Sequence, residues 1–275
     1  MKNINNLQKV IIFAIPVIFI LISCNQPGNK DFNMNAISTV KNLPEGHKNF
    51  IATFHPDIAD ANRKIILERA ELINLRDDFH YVIKKKRRLR WLNEIASKYK
   101  FGDNFFTNNL TRQTYKQKID TLLFRVDYIP EKLILAQAVI ESGWGSSKFA
   151  IEDNNYFGIH CYTKGCGPAA TDVENPKFWV KSFPSLHSCI QEYLSLLNTG
   201  YAYEGLRQTR LELRRKKLYP DALLLANGLE KYSEKGSEYI ELIHSVIKNY
   251  LPDDIDEFVR YQNSLSKKRM IKQTV

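Results

Sequence analysis

The chain has 275 residues, 44% of them hydrophobic and 25% charged, with 12 Gly and 10 Pro, a mixture that excludes collagen-like, mucin-like and wholly disordered chains. Lys+Arg of 40 against Asp+Glu of 30 give a net charge of +10, which points to a partner rich in negative charge and says nothing about fold. The length allows one large or two modest domains, with core enough to need neither metal nor disulfide staples.

At the N-terminus Lys2 and Lys9 precede an apolar run from Val10 to Ile22. That run is too short to span a membrane, which needs roughly 20 residues, and suits the apolar region of a secretory signal. It ends Leu21-Ile22-Ser23-Cys24, which resembles the lipobox of bacterial lipoproteins and marks Cys24 as the lipidated residue. Residues 1–23 are therefore expected to be a signal peptide and 24–45 a polar tether, with the product anchored by lipid to a membrane of the bacterial envelope. Cleavage there would remove Lys2 and Lys9 but no acid, so the net charge falls by two. Nucleic acid becomes an unlikely counterpart for the remaining charge.

Export also frames the other cysteines, because disulfides persist in oxidising compartments. Cys161 and Cys166 bracket a short loop with Gly165 and suit a local disulfide. A zinc site needs further ligands at proper spacing, and no such pair stands nearby. Cys189 reads as a buried thiol.

Residues 46–125 form a helical N-terminal section. Over 57–99, Ile58, Ile65, Ile66, Ala70, Ile73 and Leu75, then Phe79, Val82 and Ile83, recur at helical spacing. The basic run Lys84 to Arg90 reads as a solvated helix face, as does the turn Arg214-Arg215-Lys216-Lys217. Farther on, Ile190, Tyr193, Leu194 and Leu197 share one face and read as core. Residues 251–275 form a charged tail.

The chemistry is expected in 126–250. Pro130 opens a helix that is apolar on nearly every side through Leu133, Ile134, Leu135, Ala136, Ala138, Val139 and Ile140, and so is buried. Glu141 closes it. Desolvation and the negative end of the helix dipole both favour the protonated carboxyl, so its pKa is expected to be raised, as a glycosidase acid requires. Gly143-Trp144-Gly145 then breaks the helix, and the indole of Trp144 can wall a sugar subsite. In Asn154-Asn155-Tyr156-Phe157-Gly158 the paired amides can bond either a turn or a sugar's acetamido group. The six histidines form no close pair, and nothing supports a Ser-His-Asp or Cys-His mechanism.

Ala136-Gln137-Ala138-Val139-Ile140-Glu141-Ser142-Gly143-Trp144-Gly145, followed by Asn154 to Gly158, resembles the bacterial β-N-acetylglucosaminidase family of the lysozyme superfamily. The Cys-x4-Cys loop, Phe183-Pro184-Ser185 and Leu197 to Tyr203 resemble its Bax-like branch. The resemblance covers about 125 to 250. It implies a mainly α fold, a lysozyme-like α+β catalytic domain with a small β lobe behind the helical N-terminal section, and a general acid at Glu141. Trp144, Asn154, Asn155, Tyr156, Phe157 and Gly158 become candidate substrate-binding residues.

The family also uses a tyrosine in a Tyr-Ala-Thr-Asp-Pro-x-Tyr motif. Here the stretch reads Tyr232-Ser233-Glu234-Lys235-Gly236-Ser237-Glu238-Tyr239, one residue longer between tyrosines. Tyr232 is the first candidate and Tyr239 the second. Asp172 and Glu174 are candidates for a second carboxylate in the β lobe. The expected activity is hydrolysis of peptidoglycan strands at β-1,4 bonds of N-acetylglucosamine, without cofactor or metal. A lytic transglycosylase and a non-catalytic glycan-binding lipoprotein stay open as alternatives, and the sequence leaves the oligomeric state undecided.

Overall fold

A helix with no polar face needs partners on every side, and that requirement organises this fold. The computed structural model describes residues 43–169, 177–233, 235–253 and 255–256. Among these, the helices in chain order are α1 (Glu45–Leu75), α2 (Phe79–Lys84), α3 (Lys86–Lys98), α4 (Arg112–Arg125), α5 (Glu131–Ser142), α6 (Lys148–Asp153), α7 (Leu186–Thr199), α8 (Glu204–Arg215), α9 (Ala222–Ala226) and α10 (Ser237–Tyr250). Between α6 and α7, β1 (His160–Cys161) pairs antiparallel with β2 (Trp179–Val180), with His160 opposite Val180 and Cys161 opposite Trp179. The architecture is mainly α with one small sheet, as a lysozyme-like domain with a β lobe requires. Cys24, Asp172, Glu174 and the expected signal lie outside the described residues. Among the described residues no helix is long and apolar enough to cross a membrane.

The apolar helix is α5, with Leu133, Ile134, Leu135, Ala136, Ala138 and Val139 buried. α1, α9 and α10 pack on it, and α1 also lies along α4 and α7. α1 therefore shares its core with the second half of the chain. It starts directly after Pro44, well before the helical stretch expected from residue 57. Pro56 lies inside it and removes one backbone donor, which in sequence reads as a break. The buried side chains of Phe50, Ile51, Phe54 and Ile58 on both sides of the proline outweigh that loss.

Two polar devices fix the start of α5. Before it, the fully buried Asp127 receives 2.9 and 2.7 Å hydrogen bonds from Arg214 and stands 3.4 Å from Arg69. Arg210 adds a 3.0 Å bond to the Asp127 carbonyl and one of 2.7 Å to Asn198. Burial opposes ionisation there, but Arg69, Arg214 and Arg210 together hold the Asp127 carboxyl well below its ordinary range. This corrects part of the reading of residues 214–217: Arg215, Lys216 and Lys217 are exposed, whereas Arg214 turns inward to an acid distant in sequence. The first backbone amides of α5, on Glu131 and Lys132, donate to Oδ1 of Asp256 at 2.7 and 3.3 Å, so the start of the C-terminal tail caps the helix. Of the run Lys84 to Arg90, Lys84 to Arg87 and Arg90 are exposed, as a solvated face should be, while Arg88 pairs with Glu71 on α1.

Candidate active site

Glu141 stands in the last turn of α5, half-buried, where the helix stops. The stop is a run of three left-handed residues, Gly143 (φ 56°), Trp144 (φ 57°) and Gly145 (φ 79°). Glycine takes this conformation freely, while a bulky side chain such as Trp144 is strained in it. Contacts hold it there. His47 from α1 stacks flat on the indole, centroids 3.7 Å apart and planes 3° apart, and Phe50 and Tyr250 meet it edge-on at 5.6 and 6.1 Å. The indole face that sequence offers to a sugar is thus occupied on one side by His47.

Behind the glutamate runs a chain of hydrogen bonds. Tyr193 donates to Oε1 of the buried Gln137, Gln137 Nε2 donates to the Tyr239 hydroxyl at 3.0 Å, and Tyr239 donates to Oε1 of Glu141 at 2.8 Å. Each link sets the direction of the next, so the Tyr239 proton points at the carboxylate. Burial pushes the Glu141 pKa up, while the Tyr239 hydrogen bond and the charge of Lys235 pull it part of the way back. Oε1 accepts from Tyr239, so Oε2 is the oxygen left to carry a proton when the carboxyl is neutral.

The other wall is Asn154 to Gly158. A Cβ on Gly158 would stand 3.5 Å from Oε2 of Glu141, and the residue has φ +62°, so a glycine both permits the backbone and leaves room beside the acid oxygen. Tyr232 donates to the Phe157 carbonyl at 2.7 Å, and the Phe157 ring stacks on Tyr193 at 4.0 Å, which pins this segment against the tyrosines. Asn155 is buried; its amide nitrogen donates to the carbonyls of Ile159 and Lys181, both at 2.8 Å, and its oxygen accepts from Ile159 N at 3.0 Å. Asn154 caps α6 in a left-handed conformation and donates to the Phe183 carbonyl at 3.0 Å. The Asn155 amide is thus spent on the turn and its neighbouring strand, and the Asn154 amide nitrogen on Phe183. Tyr156 packs edge-on against Phe54, centroids 5.0 Å apart.

The two candidate tyrosines have different jobs. Their rings stack at 5.7 Å and 6°, but the hydroxyl on Glu141 belongs to Tyr239, and that of Tyr232 is spent on Phe157. The order of preference read from sequence is thereby reversed for direct contact with the acid. Gln137 was missed, although its place four residues before Glu141 on the same helix face was a usable signal. Cys161 and Cys166 form a disulfide, and Cys189 is free and buried, its thiol pushed up to about 12 by burial. Among the described residues no group of His, Cys, Asp and Glu gathers as a metal site.

Residues 116–252 match the glucosaminidase family model, described as mannosyl-glycoprotein endo-beta-N-acetylglucosaminidase. The chain is 31% identical over 208 residues to Protein bax of Escherichia coli (strain K12), covering 74% of this chain and 71% of that protein. That likeness is longer than the family stretch and the tail after it together, so it also takes in residues of the N-terminal helical section. No solved structure matches.

Proposed function

Because the chain belongs to the glucosaminidase family, we propose that it is a lipid-anchored hydrolase of the bacterial cell envelope that cuts peptidoglycan strands at β-1,4 bonds, on the reducing side of N-acetylglucosamine. The observation that carries this reading is the half-buried Glu141 with raised pKa, held by Tyr239 on one oxygen and faced by the side-chain-free Gly158 on the other. Glu141 Oε2 donates its proton to the glycosidic oxygen as the bond from that oxygen to the anomeric carbon breaks, and the sugar alcohol leaves. Tyr239 keeps its hydrogen bond to Oε1 throughout and stabilises the carboxylate that remains. Water then adds to the anomeric carbon and gives up a proton. Asp172 and Glu174 stay the candidates for accepting it, with the substrate's own acetamido group as the other route. Tyr232 acts through Phe157, by holding the wall next to Gly158.

The test is digestion of purified sacculi by the full chain and by Glu141→Gln, followed by identification of the new reducing-end sugar. The expected result is N-acetylglucosamine at the reducing end and a loss of roughly 10²-fold or more in the variant, the contribution of a positioned general acid. Full activity in Glu141→Gln would sink the assignment.

A lytic transglycosylase is the second reading. It uses the same single acid at Glu141, which suffices when the substrate's own hydroxyl attacks. Anhydro-sugar ends in the mass spectrum of the digest would favour it. Release of N-glycans from mannosyl glycoproteins without digestion of sacculi would instead favour the substrate in the family's description, and binding to sacculi without turnover a glycan-binding role.

A further inference from the structure

We propose that Lys235 makes the cleft selective for glycans bearing a carboxylate next to the scissile N-acetylglucosaminyl bond, over the same glycans without that charge. The inference rests on the hydrolase reading above. It begins from where the chain departs from the family motif, Ser233 to Glu238. Its described residues turn tightly: Lys235 N donates to Ser233 Oγ at 3.3 Å, Gly236 N to the Ser233 carbonyl at 3.2 Å, and Glu238 N to the Lys235 carbonyl at 3.2 Å. The two stacked tyrosines flank it, one hydroxyl on the Phe157 carbonyl and the other on Glu141, so both ends of the turn are moored to the walls of the site.

Lys235 is exposed and makes no ion pair with any described residue. Lys231, four residues earlier, lies instead with its ammonium 6.0 Å from the centre of the Tyr201 ring. The field of Lys235 falls on Glu141 and lowers its pKa. A cation beside a general acid works against that acid, because it favours the ionised form. A substrate carboxylate placed against Lys235 removes the conflict. It gains an ion pair and, by neutralising the lysine, returns Glu141 toward the protonated state as the substrate binds. Peptidoglycan offers such a carboxylate in two forms, the free lactyl group of a peptide-stripped muramyl residue and the carboxylates of a stem peptide.

The experiment compares kcat/KM of the full chain on peptide-stripped strands, on peptide-bearing strands and on each after chemical reduction of its carboxyls. An exposed ion pair is worth up to about 1 kcal/mol, so wild type should prefer at least one carboxylate form over its reduced counterpart by about 5-fold, less at high salt. Which form shows the preference identifies the source. Lys235→Met should bring that ratio to about 1, Lys235→Arg should keep it, and Lys231→Met should leave it as in wild type. The ratio is blind to any loss from misfolding, since both strands report that equally, and Lys235→Met takes the lysine's field off Glu141 for both strands alike. Equal ratios in wild type and Lys235→Met overturn the inference while leaving the hydrolase reading intact. Failure of wild type to cut any of the strands overturns both.

Discussion

The Tyr239 hydroxyl donates a 2.8 Å hydrogen bond to Oε1 of Glu141, and that bond opposes the burial of the same carboxylate. Burial favours the neutral acid, whereas a donated hydrogen bond favours the ion. The acid must be protonated to work, so its pKa sets the alkaline limb of the pH profile. In Tyr239→Phe the opposing effect is gone and the pKa rises further. The alkaline limb of kcat/KM should move to higher pH, with a lower maximum because the carboxylate left after proton transfer has lost a donor. A limb that stays in place would falsify the assignment of Tyr239 as the group that tunes Glu141.

Gly158→Ala tests the space beside Oε2. The substitution places a methyl 3.5 Å from that oxygen, at a φ of +62°, where an L side chain costs roughly 1–2 kcal/mol. Stability should fall by about that amount, within reach of a urea titration. Activity should fall further than the loss of folded protein explains, with the excess in kcat, because the methyl fills the approach of the glycosidic oxygen to the acid. Kinetics on folded, soluble variant with unchanged kcat would mean that the glycosidic oxygen arrives from another side.

His47 and Trp144 tie the start of α1 to the end of α5. Trp144 is held at φ 57° against its own preference, and the stack is one of the contacts that keep it there. His47→Ala should cost about 1 kcal/mol, the scale of a ring pair beyond its buried area, and reduce kcat, while His47→Phe should recover both by restoring a flat partner. A fragment limited to the family stretch, 116–252, lacks α1 altogether and exposes the surfaces against which Phe50, Ile51, Phe54 and Ile58 are buried. It should show no cooperative urea transition, where the full chain shows one.

These contacts also explain what sequence could reveal. The apolar α5, the acid at its end, the glycine break and the buried face of α7 were legible because each is written within one element at a fixed spacing. The Cys161–Cys166 loop was legible because its partners lie 5 residues apart. The rest depends on residues far apart in the chain. Nothing around Arg210 or Arg214 points to Asp127, more than eighty residues earlier, and nothing near Trp144 names His47. The ranking of Tyr232 over Tyr239 followed a motif whose length differs here by one residue, and a shift of that size decides which hydroxyl meets the acid. The apolar spacing read over 57–99 does not reach the turns of α1 before Pro56, where tertiary burial carries the helix through the proline.

A last prediction concerns the far end of α5, where Glu131 is fully buried. Its Oε1 lies 2.7 Å from Nδ1 of His55, and its Oε2 has no hydrogen-bond partner among the described residues. Burial raises its pKa from 4.5 to about 7, against the pull of His55. A carboxyl whose pKa is higher folded than unfolded binds more protons in the folded state between those two values. Below 4.5 both states are protonated and the group is neutral to stability; as pH rises through the window the unfolded state ionises first and stability drains away, and above about 7 the loss is complete. At about 1.4 kcal/mol per unit the total is roughly 3 kcal/mol. Glu131→Gln keeps the shape and removes the titration, so urea midpoints of the variant should be flatter than those of wild type between pH 5 and 7, with the variant the more stable of the two at pH 7.5. Parallel curves would mean that Glu131 is ionised in the folded protein across that window.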